Sequence, residues 1–261
     1  MVVIPLLRGL YTAASAMLLS NKQSDSIQKN IENLHNPGYR QESERVTSFP
    51  RLLVNRLDSC SSLKRGSDNV PLGIMGTGVY ADRQWYSDKA GDIRQTETLT
   101  DMALSSEGYF VVDTLQGERY TRNGHFVLDP AGMLRTAGGN MVLGENGMIG
   151  PLPKEFVVKL DGTIENKENH QILGRIRIVN IPAENLQKDG LTDLYYSTAE
   201  PLEVPREEIR IHQGYIEESN VELSAQMVKM LQVTRAYAAN QKVIQTNDNL
   251  LQKAVNEIGK V

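Results

Sequence analysis

The chain has 261 residues, enough for one large domain or two modest ones with a substantial core. Its net charge is −4, from 28 Lys and Arg against 32 Asp and Glu, which argues against a nucleic-acid polyanion or an anionic membrane as its partner. A single cysteine, Cys60, excludes an internal disulfide and a thiolate metal cage.

The first stretch, MVVIPLLRGLYTAASAMLL, is apolar, but Arg8 breaks it and no basic segment precedes it, so it does not read as a secretory leader. Its longest uncharged piece, Gly9 to Asn21, is 13 residues, short of the ~20 that a membrane span needs. The expectation is a soluble chain without membrane insertion. Residues 5–34 predict a helix, with Pro5 acceptable in the first turn and Leu6, Leu10, Ala13, Ala14, Met17, Ile27, Ile31 and Leu34 recurring at three- and four-residue steps. Asn21, Ser24 and Gln28 interrupt that stripe, as in a seam rather than a deep interior. Asn36-Pro37-Gly38 ends it, because proline pushes Asn36 out of the α region.

Residues 40–70 are charged and serine-rich and read as a linker or extension. From about Ile74 to Tyr215 short β-type runs alternate with Asn-Gly, Asp-Gly and Pro-Ala-Gly turns, the pattern of an all-β domain able to fold alone. Two phrases within it, FVLDPAGMLRT and FVVKLDGTIEN, resemble each other as hairpins. Residues 221–258 contain no proline or glycine and predict one helix of roughly 55 to 60 Å. Leu223, Met230, Tyr237, Ile244, Leu251 and Ile258 repeat there every seven residues, the spacing of a coiled-coil seam. The companion row is taken as Met227, Thr234, Gln241, Asp248 and Val255, three of them polar. Glu217-Glu218 reads as an acidic approach to the helix and Asn220 as its cap. Charge is uneven along the chain: residues 1–40 and 219–261 each carry +2, which leaves −8 between them.

No catalytic constellation appears. The four histidines, His35, His125, His170 and His212, are scattered and read as surface or turn residues. Gly76-Thr77-Gly78-x-x-Ala81 matches the dinucleotide fingerprint loosely, yet DRQWYSDKAGD follows where a helix would be required, so a turn between strands is the better reading. No catalytic, cofactor-binding or metal-ligating residue is therefore predicted.

RGLYTAASAM followed by NIENLHNPGYR resembles the N-terminal signature of bacterial flagellar rod and hook proteins. The match falls on Leu10 to Met17 and on Asn30, Ile31, Asn33, Gly38 and Tyr39, with departures at Ala16, Glu32 and Asn36. The C-terminal QGYIEESNVELSAQMVKMLQVTRAYAANQKVIQTNDNLL is closer still, and ALSSEGYFVVDTLQGERYTRNGHFVLDPAG resembles the β region of the distal-rod type, FlgF- and FlgG-like. The resemblance implies an exported basal-body subunit without a cleaved signal, whose terminal helices pack with those of other copies into a hollow tube carrying β domains outside. It also implies neighbouring rod and hook proteins and the flagellar type III export apparatus as partners.

The resulting expectation is an α+β chain. Residues 1–36 and 219–261 supply a coiled-coil-like helical polymerisation domain, 37–73 a linker, and 74–218 an all-β outer domain. Subunit packing is assigned to Leu10, Ala14, Met17, Ile27, Ile31, Leu34, Leu223, Met227, Met230, Tyr237, Ile244, Leu251, Val255 and Ile258. Two other readings stay open at this stage: a carbohydrate- or cell-wall-cleaving enzyme on a β scaffold, and a non-flagellar coiled-coil scaffold.

Overall fold

The computed structural model describes residues 3–50, 52–56, 70–190 and 193–258. Two long helices, α1 (Val3–Glu32) and α2 (Leu223–Ile258), flank a middle made of short strands, so the chain is α+β. It divides into two compact units. A helical unit holds Met1–Gln28, Ser43–Gln84 and Ser224–Val261, and a β unit holds Lys29–Glu42 and Trp85–Leu223. Part of the segment read as linker is sheet: Glu42–Ser48 pairs with Val79–Tyr86, and Leu52–Arg56 pairs with Val70–Met75. Cys60 lies outside the described residues.

The β unit is built around an antiparallel ten-stranded sheet whose centre is the hairpin Tyr109–Thr114/Gly117–Thr121. Successive side chains of a strand point to opposite faces, and here both faces are covered. Phe110 and Val112 enter one core with Phe126, Leu134, Phe156, Ile164 and Ile176, while Val111 enters a second with Tyr86, Tyr120, Val179 and Tyr195. Phe110 and Phe126 meet edge-on, with ring centroids 5.1 Å apart. A three-stranded sheet of Phe156–Val158, Thr163–Asn166 and Ile172–Arg175 adds Phe156, Val158 and Ile164 to the first core.

The likeness of FVLDPAGMLRT and FVVKLDGTIEN has a local cause. In each, the N–H of the first turn residue reaches the carbonyl of the fifth (Asp129 to Met133, 3.0 Å; Lys159 to Thr163, 2.9 Å). The fourth residue is a glycine at φ 80° in both, Gly132 and Gly162, a conformation that a side chain disfavours. Thr136 to Asn140 repeats the same bonds around Gly139. Asp129 reinforces its own turn: the N–H of Met133, then Arg135 and the N–H of Ala131, hold its carboxyl below the usual range.

In the helical unit α1 and α2 touch at both ends of an antiparallel course. Ser24 Oγ lies 3.5 Å from Met230 Sδ, and a Cβ on Gly9 would stand 3.2 Å from the Asn247 side chain. The GTG stretch is a turn between strands, packed on α1: Val79 N–H donates to Ser15 Oγ at 3.4 Å, and a Cβ on Gly78 would lie 2.5 Å from that oxygen. No helix among the described residues is long and apolar enough to cross a membrane.

Candidate assembly surface

The N-terminal motif residues are internal fasteners of the β unit. Asn30 is 1% exposed; its Nδ2 donates to Glu42 O at 2.7 Å, and its Oδ1 accepts from Glu42 N–H at 2.8 Å and from Tyr39 OH at 3.1 Å. One amide thus closes the chain reversal after α1 with three hydrogen bonds, one donated and two accepted. Asn33 donates to Lys29 O twice, through its backbone N–H at 3.1 Å and its side-chain Nδ2 at 2.8 Å. Gly38 sits at φ 69°, and a Cβ there would come within 2.4 Å of the Arg122 backbone, so glycine is needed for conformation and for space. Burial raises the pKa of Tyr39, with Glu42 adding to it, and the Lys188 ammonium lies 4.7 Å from the centre of its ring.

A second fastener joins the motifs of both chain ends. Glu217, 2% exposed, accepts from Arg122 Nε at 2.5 Å, from Arg40 Nη2 at 3.1 Å and from Gly91 N–H at 3.0 Å. Its backbone carbonyl accepts from Gly38 N–H at 2.7 Å. Arg122 spends its remaining nitrogens on the carbonyls of Gly108 and Leu104. Burial lowers the pKa of Arg122, and Glu217 opposes that. The sequence reading of Glu217-Glu218 as a helix approach is therefore corrected: Glu217 is the acceptor of a buried ion network, and Glu218 pairs with Arg94 at 3.1 Å. Asn220 is not the cap either. α2 begins at Leu223, and Asn220 instead accepts from Gln41 N–H at 2.6 Å and donates to Lys89 O at 2.7 Å.

The helices present a different kind of surface. Along α2, apart from half-buried Ala225 in the first turn, the half-buried or buried positions are Gln226, Met230, Val233, Tyr237, Asn240, Ile244, Asn247, Leu251 and Ala254. They step by four and three, one continuous seam. Its first row contains the predicted Met230, Tyr237, Ile244 and Leu251. The companion row is Gln226, Val233, Asn240, Asn247 and Ala254, one residue earlier than predicted, while Met227 and Val255 are 57% and 70% exposed. A seven-residue repeat accommodates a companion on either flank, three or four residues on, and only burial chooses between them. Three of these five are polar as well, so the narrow, partly wet seam persists with different residues. Leu223 is exposed, and the side chain of Ile258 lies outside the described residues.

On α1, Ala13, Ser20 and Ile27 are buried at seven-residue spacing, with Leu10, Ala14, Met17 and Ile31 half-buried beside them; Leu34, also half-buried, lies in the turn after the helix. The stripe passes through Ser20, not through exposed Asn21 and Gln28. Ser20 Oγ turns back to Ala16 O at 2.9 Å, so a small polar residue sits in the stripe with its hydroxyl satisfied. Away from these stripes large apolar side chains stand in water: Tyr11 and Leu18 on α1, and Met227, Val228, Leu231, Val243 and Leu250 on α2. Tyr11 and Leu18 border a groove of about 440 Å³ with Phe49 and Thr77.

Comparison with known proteins gives matches in the middle and at the C-terminal end of the chain. Residues 212–257 match the model of the flagellar basal body rod FlgEFG protein C-terminal region, and residues 103–188 that of the flagellar hook protein FlgE/F/G D1 domain. The chain is 31% identical to the flagellar hook-basal body complex protein FlhO of Bacillus subtilis, across 98% of this chain and 100% of the relative. It belongs to the flagellar basal-body rod family. Further relatives are the basal-body rod protein FlgG of Borreliella burgdorferi, 30% identical over 96% of this chain and 98% of its own, and FlgF of Caulobacter vibrioides, 29% identical over 97% and 98%.

Within this rod-family chain the family-like segments carry two kinds of residue, buried ones that fasten the β unit and exposed ones on the helices, Tyr11, Met227 and Leu231 among them. Asn30, Gly38, Tyr39 and Glu217 hold the β unit together, whereas the exposed helical residues contribute little to either unit's interior. The Glu217 network escaped the sequence reading because Arg40, Arg122 and Glu217 lie far apart along the chain. The available signal was a charged residue inside a β-type run, Arg122 in ERYTRNG and Glu217 in GYIEE, where period-two alternation leaves no reason for an unpaired charge.

Proposed function

We propose that the chain is a structural subunit of the distal flagellar rod that polymerises through its terminal helices. The supporting observation is the set of uncovered apolar residues on both helices of a chain that aligns over its whole length with rod-family relatives. The antiparallel seams of α1 and α2 form a coiled-coil-like pair, and copies of that pair pack side by side into a hollow tube. Leu10, Ala14, Met17, Met230, Tyr237, Ile244 and Leu251 serve the pairing within the helical layer. Met227, Val255, Leu223, Tyr11 and Leu18 face neighbouring copies. Residues 1–36 and 219–261 act as the polymerisation domain and 74–218 as an outer domain. The partners are other copies, adjoining rod and hook proteins, and the flagellar export apparatus that delivers the chain to the basal body; the role is not enzymatic. Deletion of the gene in its host should abolish swimming, and electron microscopy of its basal bodies should show rods truncated before the hook. Full-length rods in the deletion strain would refute the proposal.

A further inference from the structure

Two Asn-Gly pairs occur in the chain, Asn123-Gly124 and Asn146-Gly147. Both are turn sequences, and the fold treats them oppositely. Asn123 is pinned: its Oδ1 accepts from His125 N–H at 2.9 Å, and its own N–H donates to Thr121 Oγ1 at 3.1 Å. Gly124 is locked against Met102, whose N–H donates to Gly124 O at 3.0 Å and whose carbonyl oxygen would lie 1.6 Å from a Cβ on Gly124. Asn146, in contrast, is exposed at the tip of a hairpin closed by Gly144 opposite Gly147, and its carboxamide makes no hydrogen bond among the described residues. Gly147 has φ 108°, and nothing within 4 Å surrounds the place of a Cβ. The strand that follows, Gly147–Met148, is two residues long, so opening this end disturbs little pairing.

The geometry points to Asn146 as a site of spontaneous deamidation, a built-in modification that Asn123 escapes. The Gly147 backbone nitrogen, deprotonated by hydroxide, attacks Asn146 Cγ. The new C–N bond forms as the Cγ–Nδ2 bond breaks, and ammonia leaves after protonation. The resulting five-membered imide is opened by water at either carbonyl, giving aspartate or isoaspartate. The net exchange is one water consumed and one ammonia released. Because Gly147 has no side chain, nothing obstructs the approach of its nitrogen. The product places a carboxylate beside Glu145, which already accepts from Arg206 at 2.8 Å and Arg175 at 3.5 Å. The modification therefore adds negative charge next to an existing ion cluster on the β unit.

The test is incubation of the full-length protein in mildly alkaline buffer, with peptide mass spectrometry that separates asparagine, aspartate and isoaspartate at both sites. Conversion at Asn146 is expected to exceed that at Asn123 by about tenfold or more, a ratio set by the difference in local opening. In urea the two sites should convert at similar rates, and Gly147→Ala should suppress the reaction at Asn146 alone. Equal rates in the folded protein, faster conversion at Asn123, or an inert Asn146 in a chain that converts when denatured would each overturn the assignment.

Discussion

The β unit and the helical unit solve the burial problem in opposite ways. In the β unit Phe110, Phe126 and Leu134 are wholly inaccessible, and Glu217, one of its buried charges, meets Arg40 and Arg122. In the helical unit α2 has one half-covered seam and leaves Met227, Leu231 and Leu250 more than half exposed. The β unit finds its partners within one chain. A helix with a narrow stripe gains its stability from packing rather than propensity, so under the proposed function neighbouring copies complete the helical unit.

The sharpest way to break this comparison is to place a charge in each unit's contact layer. Ile244→Asp or Leu251→Asp should abolish rod assembly and swimming, since an unpaired buried charge costs several kcal/mol or more, while the melting of the β unit stays unchanged. Normal motility in either variant would mean that the helix pairing these residues serve is not needed for assembly. Gln252→Asp, at an exposed position beside the seam, should be tolerated. The reciprocal change belongs to the β unit. Glu217→Ala leaves two buried guanidinium groups without their carboxylate and should cost about 3–5 kcal/mol, read as a lowered denaturant midpoint. Glu218→Ala, at an exposed pair with Arg94, should cost about 0–1 kcal/mol. Equal effects would mean that the network carries no stability.

The third prediction concerns the boundary of the self-sufficient unit. Sequence periodicity alone suggests that residues 74–215 fold by themselves. That fragment lacks Asn30, Tyr39, Arg40 and Glu217, and with them the bonds that fix Gly91 and Arg122. A fragment of residues 29–223 should therefore show a cooperative transition close to that of the β unit in the whole protein, and 74–215 a distinctly lower one. Identical midpoints would show that the N-terminal motif is dispensable for folding.

The parts of this molecule legible in the sequence are those governed by local periodicity. Both helices and the series of strands with glycine turns follow from spacing and turn chemistry, which act within a few residues, although α1 ends at Glu32, ahead of the Asn36-Pro37-Gly38 stop. The first row of the α2 seam is equally visible. Its covered companion row in the single chain is not, because Met227 and Gln226 lie on either flank of the same repeat and only contact distinguishes them. Polarity does not decide it: polar Gln226 is 1% exposed, while apolar Met227, read as a subunit-packing residue, is 57% exposed. The Glu217 network was invisible for another reason, since it joins residues 95 and more positions apart. Long-range charge pairing leaves no periodic trace in a single sequence.

The smallest expected effect separates the two units by pH. Tyr39, Tyr86 and Tyr195 are buried in the β unit, and desolvation raises all three phenols, Tyr86 up to about 12. In the helical unit Tyr11 is 67% exposed. A phenol whose folded pKa lies above its unfolded value near 10 contributes stability that is fully present below the unfolded value. That stability is lost as pH rises through the folded one, because the unfolded chain gives up its protons first. The β unit should accordingly hold its melting temperature up to about pH 10 and lose it progressively above. Tyr86→Phe keeps the ring that packs edge-on against Tyr195 at 5.4 Å and removes one ionisation. Its melting curve should therefore fall less steeply with pH than that of the parent, a change that Tyr11→Phe should not reproduce. If both variants track the parent across this range, burial of the tyrosines is not what couples the β unit to alkaline pH.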